Sequence, residues 1–187
     1  DIGFPIDRES LHRLIIDSGY YSSYEPCNYP GVNIKYYRNP LRQNFGICDC
    51  EKPCNGKGKD NTCKRITVAV FKSGKIIITG GSGTGKSTLG KNLKHRLRNS
   101  YLLSTDNYYK TGFFPNLLSK LLNSYFDKII SLDKRLIKDD ICEILTNGST
   151  SHYYEYDFKR KKKKKKIINL MKIDHLIIEG IFSLEII

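Results

Sequence analysis

Ile76-Ile77-Ile78-Thr79-Gly80-Gly81-Ser82-Gly83-Thr84-Gly85-Lys86-Ser87-Thr88 is the stretch on which the reading of this chain turns. Its first four residues form a short apolar run of the kind that makes a buried strand. The following eight fit G-x-x-x-x-G-K-[ST], a loop whose glycines let backbone N–H groups converge on phosphate oxygens. A helix is predicted from Lys86 to about Arg98, so its positive N-terminal end adds to the loop. In that strand–loop–helix context Lys86 reaches the outer phosphates and the Ser87 hydroxyl ligates Mg²⁺. The competing reading is a Gly-rich turn that matches by chance.

Downstream the pattern alternates between strands and helices, which predicts a parallel α/β sheet. A strand is expected at 101–103, helices near 117–130 and 133–145, and a buried strand at 175–178. Ser104-Thr105-Asp106 follows the second strand and Glu179 ends the third, where open α/β sheets face their ligand crevice. Asp106 there accepts a proton from a hydroxyl or caps a helix. Glu179 is placed to hold Mg²⁺ directly or through water.

Upstream, Asp7 or Ser10 caps a helix through Ile16, with Leu11, Leu14 and Ile15 as its apolar stripe. Strands follow at 32–37 and at 66–71, the latter alternating Ile66, Val68 and Val70 with Thr67, Ala69 and Phe71. Four of the six cysteines cluster as Cys48-x-Cys50-x₃-Cys54-x₈-Cys63. They read either as a structural Zn²⁺ site or as reduced free thiols. Cys27 is an alternative ligand, and Cys142 is expected in a helix core. His95 and His152 are expected at the surface, and His175 at a strand start.

The chain has 187 residues and a net charge of +13, with 39% apolar and 27% charged side chains. This excludes a disordered tail or a fibre. Residues 1–74 hold 11 basic and 8 acidic groups, residues 75–187 hold 21 and 11. Most of the excess is one tract, Lys159 through Lys166 with Arg160 inside it. Such a run reads as a solvated, disordered loop that binds polyanions loosely, or as a nuclear-import or nucleic-acid tail. No apolar stretch approaches the roughly 20 residues that span a bilayer, so no membrane association is expected. No secretory signal pattern is present, which sets the expectation of an intracellular protein, cytoplasmic, nuclear or within a viral factory. Asp1 in place of Met predicts a fragment or a processed product.

Residues 76–187 resemble the uridine kinase and phosphoribulokinase group of P-loop kinases. The carriers are the loop quoted above, Leu103-Ser104-Thr105-Asp106-Asn107-Tyr108-Tyr109-Lys110, Phe126-Asp127 with Ser131-Leu132-Asp133, Tyr156-Asp157-Phe158, and Ile177-Ile178-Glu179-Gly180-Ile181. The resemblance implies an ATP- and Mg²⁺-dependent transfer of a phosphoryl group to a nucleoside 5′-hydroxyl. Asp106 is then the base, with Lys86 the second catalytic group. Gly80, Gly81, Ser82, Gly83, Thr84, Gly85, Lys86, Ser87 and Thr88 bind ATP. Tyr109, Asp127, Tyr156 and Phe158 line the nucleoside pocket, and Ser87 and Glu179 hold Mg²⁺. Two departures stand out. The Lys tract occupies the positions where the family has His and Arg after Y-D-F. The chain also ends before the family's arginine-bearing lid, which predicts a truncated, impaired domain with an unpaired sheet edge.

Residues 5–79 are similar to part of one repeat of a TATA-box-binding protein, of the divergent type found in large DNA viruses. Tyr24-Glu25-Pro26, Tyr29-Pro30-Gly31-Val32, the 66–71 strand and the 73–80 string carry it. It implies DNA binding through this segment, with Tyr29 and Phe71 as wedges or as core packing. The expected organisation is therefore a small α+β segment over 1–74 followed by an incomplete, helix-flanked P-loop kinase-like sheet over 75–187. The alternative function is a DNA-binding module in which the phosphate loop is an inactive passenger. Because 73–80 serves both resemblances, two sequences joined at a shared segment are expected.

Overall fold

Asp7 accepts from the backbone N–H groups of Glu9 and Ser10 and so caps helix α1 (Arg8–Asp17). The computed structural model describes residues 5–39, 44–51, 54–58, 62–147, 153–166 and 173–186. His152 lies outside these residues. After α1 come strands β1 (Tyr21–Glu25), β2 (Tyr29–Asn39), β3 (Asn44–Gly46), β4 (Lys64–Val70) and β5 (Lys75–Gly80). Helix α2 (Lys86–Arg96) and strand β6 (Ser100–Ser104) follow, then α3 (Phe113–Leu121) and α4 (Lys134–Asn147). A hairpin of β7 (Tyr153–Asp157) and β8 (Lys162–Lys166) precedes β9 (His175–Gly180) and the short α5 (Ser183–Ile186).

One seven-stranded sheet runs β1-β2-β4-β5-β9-β6, with β3 beside β2. Its N-terminal part is antiparallel, whereas β5, β9 and β6 are mutually parallel. The sheet therefore crosses the expected boundary at residue 74 without a break. The tight turn after β4 carries this continuity, with Gly74 N–H donating to Phe71 O at 3.1 Å. Register places Ile66, Val68 and Val70 opposite Gly80, Ile78 and Ile76. Ile66, Val68, Val70, Ile76, Ile78 and Ile177 form one buried face, covered by Leu89 and Leu93 of α2, by Leu97 just after it, and by Leu11 of α1. The opposite face buries Tyr101, Leu103, Leu176 and Ile178 under Ile137, Ile141 and Ile144 of α4.

Four expectations are corrected. The edge of β5 is not unpaired, because β4 occupies it along five register pairs. The Lys tract is not a disordered loop. Its second part forms β8, paired with β7, and Lys163 lies against Tyr154 and 4.0 Å from Asp133. The helix expected at 117–130 begins earlier, at Phe113, and ends at Leu121. Pro115 sits in its first turn, where a missing donor costs nothing, and Ser124 takes a left-handed conformation that prevents continuation into the 3₁₀ turns Tyr125–Asp127 and Ile129–Ser131. Cys142 is exposed, because Ile137, Asp140, Ile141 and Ile144 form the buried stripe of α4. His95 is exposed and His175 opens β9, as expected.

Candidate functional site

Three parallel strands end side by side, so their C-terminal residues meet at one edge of the sheet. Register aligns Glu179 of the middle strand with Ile78 on one side and Ser104 on the other. Glu179 is 2% exposed, and a buried carboxylate requires hydrogen-bond donors. Ser104 Oγ donates to it at 2.6 Å and Ser87 Oγ at 3.2 Å. Ser87 reaches it because α2 packs close to the sheet at Gly90, where a Cβ would stand 3.0 Å from Leu102 and 3.7 Å from the Glu179 Cγ. The result is a set of hard oxygen donors of the kind that suits Mg²⁺. Ser104 stands at the strand end expected to face the crevice, but its contact with Glu179 follows only from strand register.

The loop between β5 and α2 has the left-handed glycines its motif requires, Gly83 at φ 68° and Gly85 at φ 95°. Thr84 Oγ1 donates to Gly81 O at 3.0 Å. Lys86 is 7% exposed and its Nζ donates to the same carbonyl at 2.8 Å. Burial pushes the Lys86 ammonium down from its usual range, opposed by the carboxylates of Asp106, Glu179 and Asp127. Ser82 lies in this loop, and Thr88 in the first turn of α2 that follows it.

Asp106 lies within the 3₁₀ turn Thr105–Tyr108 that follows β6, and it does not cap a helix. Burial, and then the Glu179 charge, hold its carboxyl above the usual carboxylate range, while Lys86 pulls the other way. The Tyr109 hydroxyl lies against Asp106 and donates to Phe126 O at 3.1 Å. Burial and the neighbouring Asp106 charge keep that phenol protonated. Around Tyr109 stand Phe126, Tyr156 and Phe158, with ring centroids 4.9, 5.3 and 5.6 Å away, all edge to face. The Tyr156 N–H donates to the Asn107 side chain at 3.3 Å, which fastens β7 to the turn carrying Asp106. The structure thus brings Lys86, Ser87, Asp106, Asp127, Glu179 and the aromatic cluster to one region.

The antiparallel half of the sheet also reaches the loop, which no local sequence signal announces. Lys64 Nζ stands 3.5 Å from where a Cβ of Gly83 would be, and an Arg38 guanidinium nitrogen 3.1 Å from that of Gly85. A hollow of about 380 Å³ is shared by Gly80, Gly81 and Ser82 with Gly56, Lys57 and Lys64. The sulfurs of Cys48, Cys50, Cys54 and Cys63 all lie within 4.8 Å of one another. Tyr29 and Phe71 pack edge to face on each other at 5.7 Å, over Gly31. Among the described residues, no helix is long and apolar enough to cross a membrane.

This is an α/β fold with a phosphate loop facing a buried acid across parallel strands. Over 112 residues the chain is 30% identical to a uridine kinase of Clostridium novyi and 31% identical to one of Macrococcus caseolyticus. Each match covers 59% of this chain and 53% of the relative, so the chain spans about half the length of the curated relatives it matches. A solved structure described as a possible uridine kinase from Bacillus stearothermophilus aligns with a TM-score of 0.41 and 19% identity, over 54% of this chain and 56% of that one. No protein-family model matches. The two uridine kinases support the kinase resemblance and lend nothing to the TATA-binding one.

Proposed function

We propose that residues 75–187 form the nucleotide-binding core of an ATP- and Mg²⁺-dependent nucleoside kinase of the uridine or cytidine type, with residues 1–74 a Cys-containing unit built onto its sheet. The observation that carries the reading is the convergence of Lys86, Ser87, Asp106 and Glu179 at the ends of β5, β6 and β9. The similarity to uridine kinases over 112 residues supports the acceptor class.

In this reading the amides from Gly80 to Thr88 hold the triphosphate, and Lys86 leaves the Gly81 carbonyl for the outer phosphates. Ser87 and Glu179 hold Mg²⁺, and Ser104 orients the Glu179 carboxylate. When bound, the ion offsets charge on the phosphate oxygens. Asp106 accepts the proton of the acceptor hydroxyl as the new P–O bond forms and the bond to the departing diphosphate breaks. Tyr109, Asp127, Tyr156 and Phe158 border the acceptor site, with Tyr109 and Tyr156 buried and Phe158 exposed.

Calorimetry with Mg²⁺-ATP tests the reading, followed by a panel of nucleoside acceptors. The native chain is expected to bind, and Lys86→Ala to weaken binding by about 100-fold, the loss of a charge-assisted contact. Absence of binding by the native chain, or equal binding by the variant, overturns it.

A further inference from the structure

The insert between β3 and β4 has no means of holding itself together by burial. From 48 to 63 it reads CDCEKPCNGKGKDNTC, without a single Ala, Val, Ile, Leu, Met, Phe, Tyr or Trp. A segment that buries so little apolar surface does not recover the entropy of ordering it. Yet its four cysteines converge. Cys48 and Cys54 sulfurs are 3.3 Å apart, those of Cys50 and Cys63 3.5 Å, and all four lie within 4.8 Å of one another. A tetrahedral ion with Zn–S bonds of roughly 2.3 Å sets its sulfurs roughly 3.8 Å apart, within this range. Backbone N–H groups of Cys50, Gly56 and Asp49 donate to the sulfurs of Cys48, Cys54 and Cys63, the kind of bond that stabilises thiolate ligands. Two separate disulfides need only pairwise approach, whereas four mutually adjacent sulfurs surround a common centre.

We propose that Cys48, Cys50, Cys54 and Cys63 form a tetrathiolate site for Zn²⁺, which holds Asn55, Gly56 and Lys57 as one wall of the phosphate-loop hollow. On binding, the four thiols release four protons and the ion with its ligands carries a charge of −2. The ligands then fix the backbone that follows. Arg65 N–H donates to Gly56 O at 2.8 Å and Gly58 N–H to Cys63 O at 3.1 Å, which sets Lys57 and Lys64 beside Gly80, Gly81 and Ser82. Soft thiolate ligands in this number select zinc over Mg²⁺. The metal site stands on its own residues and does not depend on the kinase reading.

The test is metal analysis of the full chain purified under reducing conditions, combined with titration by an organomercurial. One zinc per chain is expected. Cys27 and Cys142 are exposed and should react without releasing it, and the zinc should leave as the remaining four thiols react. Cys54→Ser is expected to lose the zinc and Cys27→Ser to retain it. Because Cys54→Ser can fail to fold, Co²⁺ substitution of the native chain gives a second readout, the visible spectrum of tetrahedral thiolate coordination. A chain that takes up no zinc when it is added under reducing conditions overturns the proposal. So does an intact mass lower by four hydrogens with Cys48–Cys54 and Cys50–Cys63 disulfides. Zinc content should be unchanged in Lys86→Ala, so failure of nucleotide binding and failure of the metal site are read separately.

Discussion

Asp106 carries opposite demands from function and stability. Burial and the Glu179 carboxylate raise its pKa in the folded chain above its unfolded value. Such a group stabilises the fold when protonated, and that contribution is lost as pH rises through the folded pKa. At neutral pH the charged carboxylate is therefore a cost. Asp106→Asn is expected to lower phosphoryl transfer by about 10²- to 10⁴-fold while raising the midpoint of chemical denaturation at pH 7. The acid limb of the native pH–rate profile should lie above the ordinary carboxylate range. Gly180 is a second residue with one requirement. A Cβ there would overlap the Thr105 Oγ1 atom, and Thr105 is fully buried. Gly180→Ala is expected to cost about 1–3 kcal/mol in thermal unfolding, the range for overpacking a filled core.

At the scale of elements, the β7–β8 hairpin shows how a charge tract becomes ordered. Each residue of Tyr153–Asp157 pairs with a lysine across the hairpin. Lys163 is the inward one. Its Nζ stands 5.1 Å from the Tyr154 ring centroid and 4.0 Å from Asp133, with 14% of the side chain exposed, and burial lowers its pKa. Lys164 is its exposed neighbour. Lys163→Ala is expected to lower Tm by about 2–4 °C, the equivalent of about 1 kcal/mol, and Lys164→Ala to leave it unchanged within error. The hydrophobic stem of a lysine packs well where its head finds a carboxylate, which composition alone does not reveal.

At the scale of the molecule, β4 links the two halves. Val68 is 8% exposed, pairs with Ile78 of the loop strand, and lies in the core beneath α2. Val68→Asp places an unpaired charge in that core and is expected to destabilise the chain by about 3–5 kcal/mol. Because the sheet is continuous, Mg²⁺-ATP binding should be lost together with the fluorescence and far-UV signals of unfolding, in one transition. Two separated transitions would mean that the halves fold independently.

The phosphate loop, the Glu179 strand end and Asp106 were legible in the sequence because each is written in consecutive residues. A glycine spacing fixes backbone direction, and a strand end fixes an acid at the sheet's edge. The strand cores and α4 were legible from periodicity for the same reason, but β1 and the β7–β8 hairpin were not, since neither carries a clean alternation of apolar and polar residues. Tertiary structure alone decided that Ser104 meets Glu179, and that Lys64 and Arg38 stand beside Gly83 and Gly85. It also decided that four cysteines spread over sixteen positions share one centre. These are contacts between residues distant in the chain. Their register is chosen by which faces of the whole sheet are buried, and no local run of sequence contains that choice.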